Sequence, residues 1–236
     1  MSGSEPQRRR RLLQLASAAA FLTVAVVLVL IVVNSSETDG GDTDLEGVAA
    51  AKRELRGIPQ SGLILGKHGA RVRLYEYGDL QCPVCKGFAE EVVPEVIESK
   101  VRSGEASIEF RNFTIINEES VPAAAAAIAA GEQGRGWDFL DVFYANQGLE
   151  ASGYVTDEFL AEIARAAGVP DIVRWDEERE SSTVLRRVRR ESEEAQRLGL
   201  TGTPSFAVTG PSTEGKEVLG TPGSADALEG AIEAAG

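Results

Sequence analysis

The chain contains two cysteines, Cys82 and Cys85, with Pro83 and Val84 between them. Such a Cys-X-X-Cys pair can form and break a disulfide by exchange, in which a thiolate attacks a sulfur atom. A zinc site would need two further ligands, but the chain has one histidine and no third cysteine. A structural disulfide that closes so short a loop would stabilise little. The residue types and their spacing therefore favour redox chemistry.

The elements on either side of the pair predict which sulfur is reactive. Residues 71–77 have the pattern of a strand, and residues 86–100 have apolar residues at helical spacing. The pair thus lies where a strand leads into a helix, with Pro83 at the first helical position. Because a helix start carries unpaired N–H groups and partial positive charge, it stabilises a thiolate. We therefore predict that Cys82 is the nucleophile and that Cys85 resolves the mixed disulfide.

The first 33 residues differ in composition from the rest of the chain. Residues 1–11 end in four arginines, and residues 12–33 carry no charge. As a helix, residues 12–33 would extend about 33 Å, enough to cross a bilayer core. The positive-inside rule then predicts a signal anchor with a basic tail in the cytoplasm and the remaining chain outside. A cleaved signal peptide is the alternative, although no small-X-small site follows. Both interpretations place the cysteines where disulfides persist.

The segment at residues 34–57 is rich in Ser, Asp, Thr, Gly and Glu, and it is predicted to be an acidic, flexible linker in which residues 48–56 could form a short helix. A compact domain is expected at residues 58–236.

The net charge of the chain is −13. Residues 1–33 contribute +3, so the rest of the chain carries −16. Such an acidic domain is not expected to bind nucleic acid.

The domain at residues 58–236 has the pattern of an α/β fold. Strand patterns are followed by a helical block at about residues 117–199, after which a strand begins at Thr203 and a helix closes the chain. Pro94 should kink or split the helix that follows the cysteines. We therefore predict an α/β fold with an inserted all-helical subdomain.

A second motif, Gly202-Thr203-Pro204, places a proline at the start of a predicted strand. Together with the Cys-Pro-X-Cys pair, the helical insertion and the approach Asp79-Leu80-Gln81, it resembles the DsbA-like thiol–disulfide oxidoreductases of the thioredoxin superfamily, in their membrane-anchored bacterial form. The resemblance covers residues 62–236. It implies a thioredoxin-like fold in which Pro204 is cis and lies against the cysteines. It also implies that Thr203 offers its backbone to an extended substrate segment.

The same resemblance assigns a role to Glu76, which stands six residues before Cys82. It matches the buried acid that lies beneath the cysteine pair in DsbA-like proteins, where it would relay a proton for Cys85. An unpaired carboxylate is costly to bury, so its presence in an apolar strand needs a reason. The alternative is that Glu76 faces solvent or pairs with Arg73 or Lys86.

One residue departs from the best-known DsbA pattern, which has histidine where this chain has Val84. Together with Pro83, Val84 is expected to tune the active site. Its side chain can neither donate a hydrogen bond nor bring positive charge to the Cys82 thiolate. We therefore expect a less stabilised thiolate and a weaker oxidant.

The resemblance implies an extracytoplasmic enzyme that forms disulfides in reduced secreted or cell-envelope proteins. A membrane quinone-linked partner would reoxidise it, and no metal or organic cofactor is expected beyond the disulfide between Cys82 and Cys85. Two alternatives stay open at this point. One is a disulfide reductase or isomerase, for example in cytochrome maturation. The other is a tethered peptide-binding or chaperone module whose cysteines do not react.

Overall fold

A computed structural model of the protein describes residues 45–236, and a six-stranded β-sheet lies at its centre. The strands are β1 (Gln60–Ser61), β2 (Ile64–Leu65), β3 (Val72–Gly78), β4 (Ala106–Asn112), β5 (Ser205–Thr209) and β6 (Glu217–Gly220). Their order across the sheet is β1-β2-β4-β3-β5-β6. The central pair of β3 and β4 is parallel, and the other neighbouring pairs are antiparallel. The strand that leads into the cysteine pair, β3, is therefore flanked by a strand on each side.

Helices pack around this sheet in the described part of the chain. They are α1 (Val48–Glu54), α2 (Pro83–Glu91), α3 (Val93–Val96), α4 (Ser120–Glu132), α5 (Gly136–Ala145), α6 (Asp157–Ala166), α7 (Ile172–Glu180), α8 (Ser182–Arg197) and α9 (Ala225–Ala235). A π-helical turn (Ile97–Val101) follows α3. The block from α4 to α8 stands between β4 and β5 in the sequence. The predicted α/β fold with an all-helical insertion is confirmed.

The central strand β3 is buried on both faces because helices cover both sides of the sheet. Glu76 pairs in register with Phe206 of β5 and shares a face with it. The ring of Phe206 lies 5.8 Å from that of Phe88 in α2, so α2 covers this face. Tyr77 points to the opposite face, where its hydroxyl donates to Glu194 of α8 at 3.2 Å. Side chains from the α2 side and the α8 side therefore enclose the strand.

The helix after the cysteines is interrupted at Pro94, as the sequence predicted. The helix α2 ends at Glu91, and α3 begins at Val93. A proline inside a helix lacks the N–H that would bond to the preceding turn, and its ring crowds the carbonyl there. The π-helical turn after α3 continues the irregularity.

The final residues of the predicted linker belong to the folded domain. The short helix that could form at residues 48–56 is the helix α1 at residues 48–54, and it packs on α5. Ala51 and Leu55 are each 4% exposed and belong to the main hydrophobic core. The guanidinium of Arg102 donates to the carbonyls of Glu54 and Arg56 at 2.5 and 3.0 Å, which caps the end of α1. The polar composition of the segment concealed one apolar helix face, so the domain begins before residue 58.

The basic tail at residues 1–11, the signal anchor at residues 12–33 and the start of the linker lie outside the described residues. Among residues 45–236, no helix combines the length and the apolar character that crossing a membrane requires.

The packing of α1 gives a first prediction. Leu55→Ala should lower the free energy of unfolding by about 2–4 kcal/mol, because the removed side chain leaves a cavity in the core. Lys52→Ala changes an exposed position of α1 and should alter the free energy of unfolding by less than about 0.5 kcal/mol. Denaturation in urea measures both variants. An unchanged stability for Leu55→Ala would mean that this segment is a linker after all.

Candidate active site

The two cysteines lie at the amino end of α2, directly after β3. Cys82 is the residue that caps the helix, and Pro83 is its first residue, as the sequence predicted. The backbone N–H of Cys85 donates to the sulfur of Cys82 at 3.4 Å. A sulfur atom thus takes the place of the oxygen that usually caps a helix start. The unpaired N–H groups and the partial positive charge of the helix end face this sulfur.

The two thiols differ in their protonation. The pKa of Cys82 is lowered from 9.0 to about 6, and the largest cause is a hydrogen bond from the Cys85 thiol. Burial opposes this shift, and contacts with Thr203 and the backbone of Val84 and Cys85 contribute the rest of it. Burial raises the pKa of Cys85 well above 9.0, and the neighbouring Cys82 adds to this shift. Near neutral pH, Cys82 is therefore a thiolate and Cys85 a thiol, which is the predicted division of roles.

The loop before β5 lies against Cys82. The Thr203–Pro204 peptide bond is cis, as the resemblance implied. The carbonyl of Thr203 accepts a hydrogen bond from the thiol form of Cys82 at 3.4 Å. Because β5 pairs antiparallel with β3, the loop before β5 lies at the same edge of the sheet as the cysteine loop after β3. The hydroxyl of Thr221 donates to the carbonyl of Pro204 at 2.6 Å and holds the loop in place.

Glu76 is buried in the centre of β3, with 2% of its surface exposed. Neither predicted partner pairs with it, since Arg73 binds Glu109 and Lys86 binds Glu90. Its Oε1 atom has no hydrogen-bond partner among the described residues. Burial raises the pKa of Glu76 from 4.5 to about 8. The alternative of a solvated or paired carboxylate is therefore wrong.

Glu76 lies on the face of the sheet that the cysteine helix covers. It shares this face with Phe206, whose ring packs on Phe88 of α2, and Cys85 is the buried residue of the same helix. A carboxyl group with a pKa near 8 can give or take a proton at neutral pH. The geometry thus suits the predicted relay role of Glu76.

Asp79 holds the active-site loop, a role that the sequence did not reveal. Its carboxylate accepts hydrogen bonds from the backbone N–H groups of Gln81 (2.9 Å), Ile115 (2.8 Å) and Ile116 (3.0 Å). It is 1% exposed, so these three donors replace its contacts with water. The sequence motif before Cys82 contains Asp79, but only the fold shows that it joins this loop to the segment after β4.

Gln147, which follows α5, is a second support that the sequence did not indicate. Its side-chain amide donates to the carbonyls of Leu80 (2.7 Å) and Cys82 (3.1 Å). From α5 itself, the hydroxyl of Tyr144 donates to the carbonyl of Asp79 at 3.4 Å. The helical insertion therefore fixes the backbone around the reactive cysteine. No sequence pattern marks a contact between residues so far apart in the chain.

Val84 and Pro83 form the outer surface of the active site. Val84 is 54% exposed, and its apolar side chain offers the sulfur of Cys82 neither a hydrogen bond nor charge. Only the backbone of Val84 helps to lower the pKa of Cys82. Within residues 45–236, no three or more His, Cys, Asp or Glu side chains are grouped to hold a metal ion.

Comparison with known proteins agrees with this geometry. Residues 60–234 match a family model described as Thioredoxin. The chain therefore belongs to the thioredoxin family. A "probable disulfide bond formation protein D" of Bacillus anthracis is 33% identical over 150 residues, which cover 62% of this chain and 69% of that protein.

Two solved structures are also similar. The crystal structure of oxidised BdbD from Bacillus subtilis has a TM-score of 0.64 and 23% identity, and the match covers 74% of this chain and 96% of that one. A thioredoxin-like oxidoreductase from Silicibacter pomeroyi DSS-3 has a TM-score of 0.58 and 28% identity, with coverage of 72% and 89%. Within the thioredoxin family, the chain is a DsbA-like thiol–disulfide oxidoreductase.

The exposed position of Val84 gives a second prediction. In the reduced protein, thiolate absorbance of Cys82 should appear with a midpoint near pH 6, the pKa of its thiol. Val84→His should lower that midpoint by about one unit, because an imidazolium beside the sulfur favours the thiolate. Val84→Ala keeps the backbone N–H and should leave it unchanged. A midpoint near 9 in the unmodified protein would contradict the assignment of Cys82.

A third prediction concerns Glu76 and stability. The pKa of Glu76 is about 8 when folded and 4.5 when exposed, so the folded state holds the extra proton between these values. Stability must therefore fall as pH rises through this range. Glu76→Gln removes that loss and should raise the free energy of unfolding above pH 8 by on the order of 2 kcal/mol.

The gain from Glu76→Gln should shrink as the pH falls toward 4.5. Urea denaturation of wild type and variant at several pH values measures the difference. Glu95→Gln, at an exposed position of α3, is the control and should show no such trend. An equal effect of Glu76→Gln at all pH values would contradict the buried, protonated carboxyl.

Proposed function

We propose that the protein is a membrane-anchored, extracytoplasmic oxidase that forms disulfides in reduced secreted or cell-envelope proteins. The observation that carries this proposal is the difference between the two thiols, since the pKa of Cys82 is about 6 and that of Cys85 is well above 9.0. Because a stabilised Cys82 thiolate favours the reduced enzyme, the enzyme's disulfide tends to pass to substrates. The names of its relatives, which refer to disulfide bond formation, support the same direction.

The reaction begins with the enzyme disulfide. A substrate thiolate attacks the sulfur of Cys82, the Cys82–Cys85 bond breaks, and Cys85 leaves as a thiolate that takes up a proton. A second substrate thiolate then attacks the substrate sulfur of the mixed disulfide. The substrate disulfide forms and Cys82 leaves as a thiolate, so two electrons pass from the substrate to the enzyme. The low pKa of Cys82 makes it a good leaving group in this step.

The loop at Thr203 and Pro204 is the proposed substrate-binding element. The backbone of Thr203 already contacts the reactive sulfur through its carbonyl. An extended peptide that hydrogen-bonds to this backbone would place its own thiol beside Cys82, which is recognition by strand addition. Such binding depends on main-chain groups, so it suits substrates of varied sequence.

Glu76 is the proposed proton donor and acceptor for Cys85. The buried carboxyl with a pKa near 8 is protonated in most molecules at neutral pH. It can therefore protonate Cys85 when that sulfur leaves, and it can accept the proton again when the enzyme is reoxidised.

Reoxidation is assigned to a membrane quinone-linked partner. The apolar run at residues 12–33, with arginines before it, supports a signal anchor that places the active site outside the cytoplasm. There the Cys82 thiolate would attack the partner's disulfide, and Cys85 would then displace the partner and restore the Cys82–Cys85 bond. No cofactor other than this disulfide takes part.

The proposal predicts two distinct outcomes for the two cysteines. With a reduced secreted protein as substrate, oxidised wild type should restore the disulfides, and Cys82→Ser should be slower by at least about a hundredfold, because the nucleophile is lost. Offered a protein that already carries disulfides, Cys85→Ala should instead accumulate mixed disulfides, because the Cys82 thiolate attacks such a disulfide and no second thiol of the enzyme displaces it; electrophoresis without reductant detects these adducts. Full cellular activity of Cys82→Ser would instead assign the protein to a binding module.

A further inference from the structure

A cavity of about 320 Å³ opens at the surface between α1, α2 and α5. Four carboxylates line it, from Glu46, Glu54, Glu90 and Asp141. Asp141 differs from the other three, because its Oδ2 atom is buried and has no hydrogen-bond partner among residues 45–236. An orphaned buried carboxylate oxygen is unusual in a folded protein and needs an explanation.

Asp141 and Glu76 approach the same part of the interior from different elements. Tyr144 stands one turn after Asp141 on α5, and its ring lies 6.5 Å from that of Phe110 in β4. A Cβ added to Gly78 would come within 3.4 Å of the Tyr144 hydroxyl, so this face of α5 covers the end of β3. Glu76 stands two residues before Gly78 and points to the same face of the sheet.

The helix α2 connects the same two regions. It buries Cys85 against the interior, whereas Lys86, Ala89 and Glu90 of α2 line the cavity. The buried thiol and the cavity are thus on neighbouring sides of one helix turn. Glu76, on the face of the sheet that α2 covers, and Asp141, in the wall of the cavity, each have an unpartnered carboxylate oxygen.

We propose that Asp141, which is half-buried in the cavity wall, links Glu76 to the solvent in this cavity, so that protons reach Cys85 from the surface through two carboxyl groups. Asp141 acts through Glu76 and not on substrate, so it is a positioning residue for proton transfer. The inference rests on the proposed function, because it serves the step in which Cys85 leaves or attacks.

The electrostatics of the cavity agree with this role. Burial raises the pKa of Asp141 well above 3.8, and the charges of Glu54, Asp138 and Glu76 raise it further. Asp141 takes part in no ion pair among the residues that the structure describes. The charged groups of the neighbouring elements have partners of their own. Lys86 binds Glu90 at 3.6 Å and the carbonyl of Ala145 at 3.4 Å. Arg135 binds Asp138 at 3.6 Å. Burial raises the pKa of Glu54, and the charge of Arg102 lowers it.

The proton balance of the step is simple. When a substrate thiolate attacks Cys82, the Cys82–Cys85 bond breaks and its electron pair stays on Cys85. Cys85 takes a proton from the Glu76 carboxyl, Glu76 takes one from Asp141, and Asp141 takes one from water in the cavity. Reoxidation moves one proton the opposite way. No electrons travel along this route, since they pass only between sulfur atoms.

The test is the rate at which dithiothreitol reduces the oxidised full-length protein between about pH 5 and pH 9. Asp141→Asn should slow reduction at neutral pH by about tenfold, because an amide cannot relay a proton. Asp141→Glu should restore most of the rate. Glu90→Gln removes an exposed carboxylate from the same cavity and should leave the rate within about twofold of wild type.

A double variant separates the relay from a general loss of structure. If Asp141 acts only through Glu76, then Glu76→Gln with Asp141→Asn should be no slower than Glu76→Gln alone. A double variant whose loss of rate is the product of the two single losses would overturn the inference. A pH–rate profile of Asp141→Asn that superimposes on that of wild type would also overturn it. Wild type that fails to exchange thiols at all would instead reject the proposed function, and the relay with it.

A measurement on the wild type covers the case in which Asp141→Asn does not fold. Carbon-13 labelling of aspartate allows carboxyl protonation to be followed by NMR. One aspartate should remain protonated at neutral pH, and its signal should shift between the oxidised and reduced protein. If every aspartate is ionised at neutral pH, or if no signal responds to the redox state, the inference is overturned.

Discussion

The sulfur of Cys82 takes the place of a capping oxygen at the start of α2, and the N–H of Cys85 donates to it at 3.4 Å. This cap, the hydrogen bond from the Cys85 thiol and the burial of Cys85 together make the two chemically equal cysteines different. The helix start favours negative charge on Cys82, and the burial of Cys85 disfavours it. An exchange reaction needs both, because one sulfur must leave readily while the other stays protonated until it is required.

The rest of the fold maintains this arrangement. The central strands β3 and β5 bring the cysteine loop and the Thr203–Pro204 loop to the same side of the sheet. The carboxylate of Asp79 and the amide of Gln147 fix the backbone around Cys82. The helical insertion therefore does more than enlarge the domain, since Tyr144 and Gln147 both hold the active-site loop. On the face of the sheet that α2 covers, β3 carries the buried Glu76.

Local sequence signals predicted the parts of the site that depend on local structure. A cysteine before a proline at a strand–helix junction specifies the cap at Cys82, and Pro94 specifies the break in the helix, because each acts on its own backbone. The roles of Asp79 and Gln147 were not predictable in this way. Their partners lie about 36 and 65 residues away in the chain, and only the packed fold brings them together.

Two helices were predicted only in part. The segment of α1 was expected to be a linker in which a short helix could form, yet Ala51 and Leu55 reach the core. In α7, six of nine residues are charged, which obscures the apolar period. Trp175 is fully buried, with its indole N–H donating to the carbonyl of Ala126 at 3.0 Å. This large residue anchors a helix that lacks a clear apolar stripe.

The central claim is that a stabilised Cys82 thiolate makes the protein an oxidant of other thiols. The most direct measurement is the reduction potential of the Cys82–Cys85 pair, determined by equilibration with glutathione. We expect a potential clearly above that of thioredoxin, which is about −270 mV. At or below that value, the protein would donate electrons to disulfides rather than form them, and the oxidase function would be wrong.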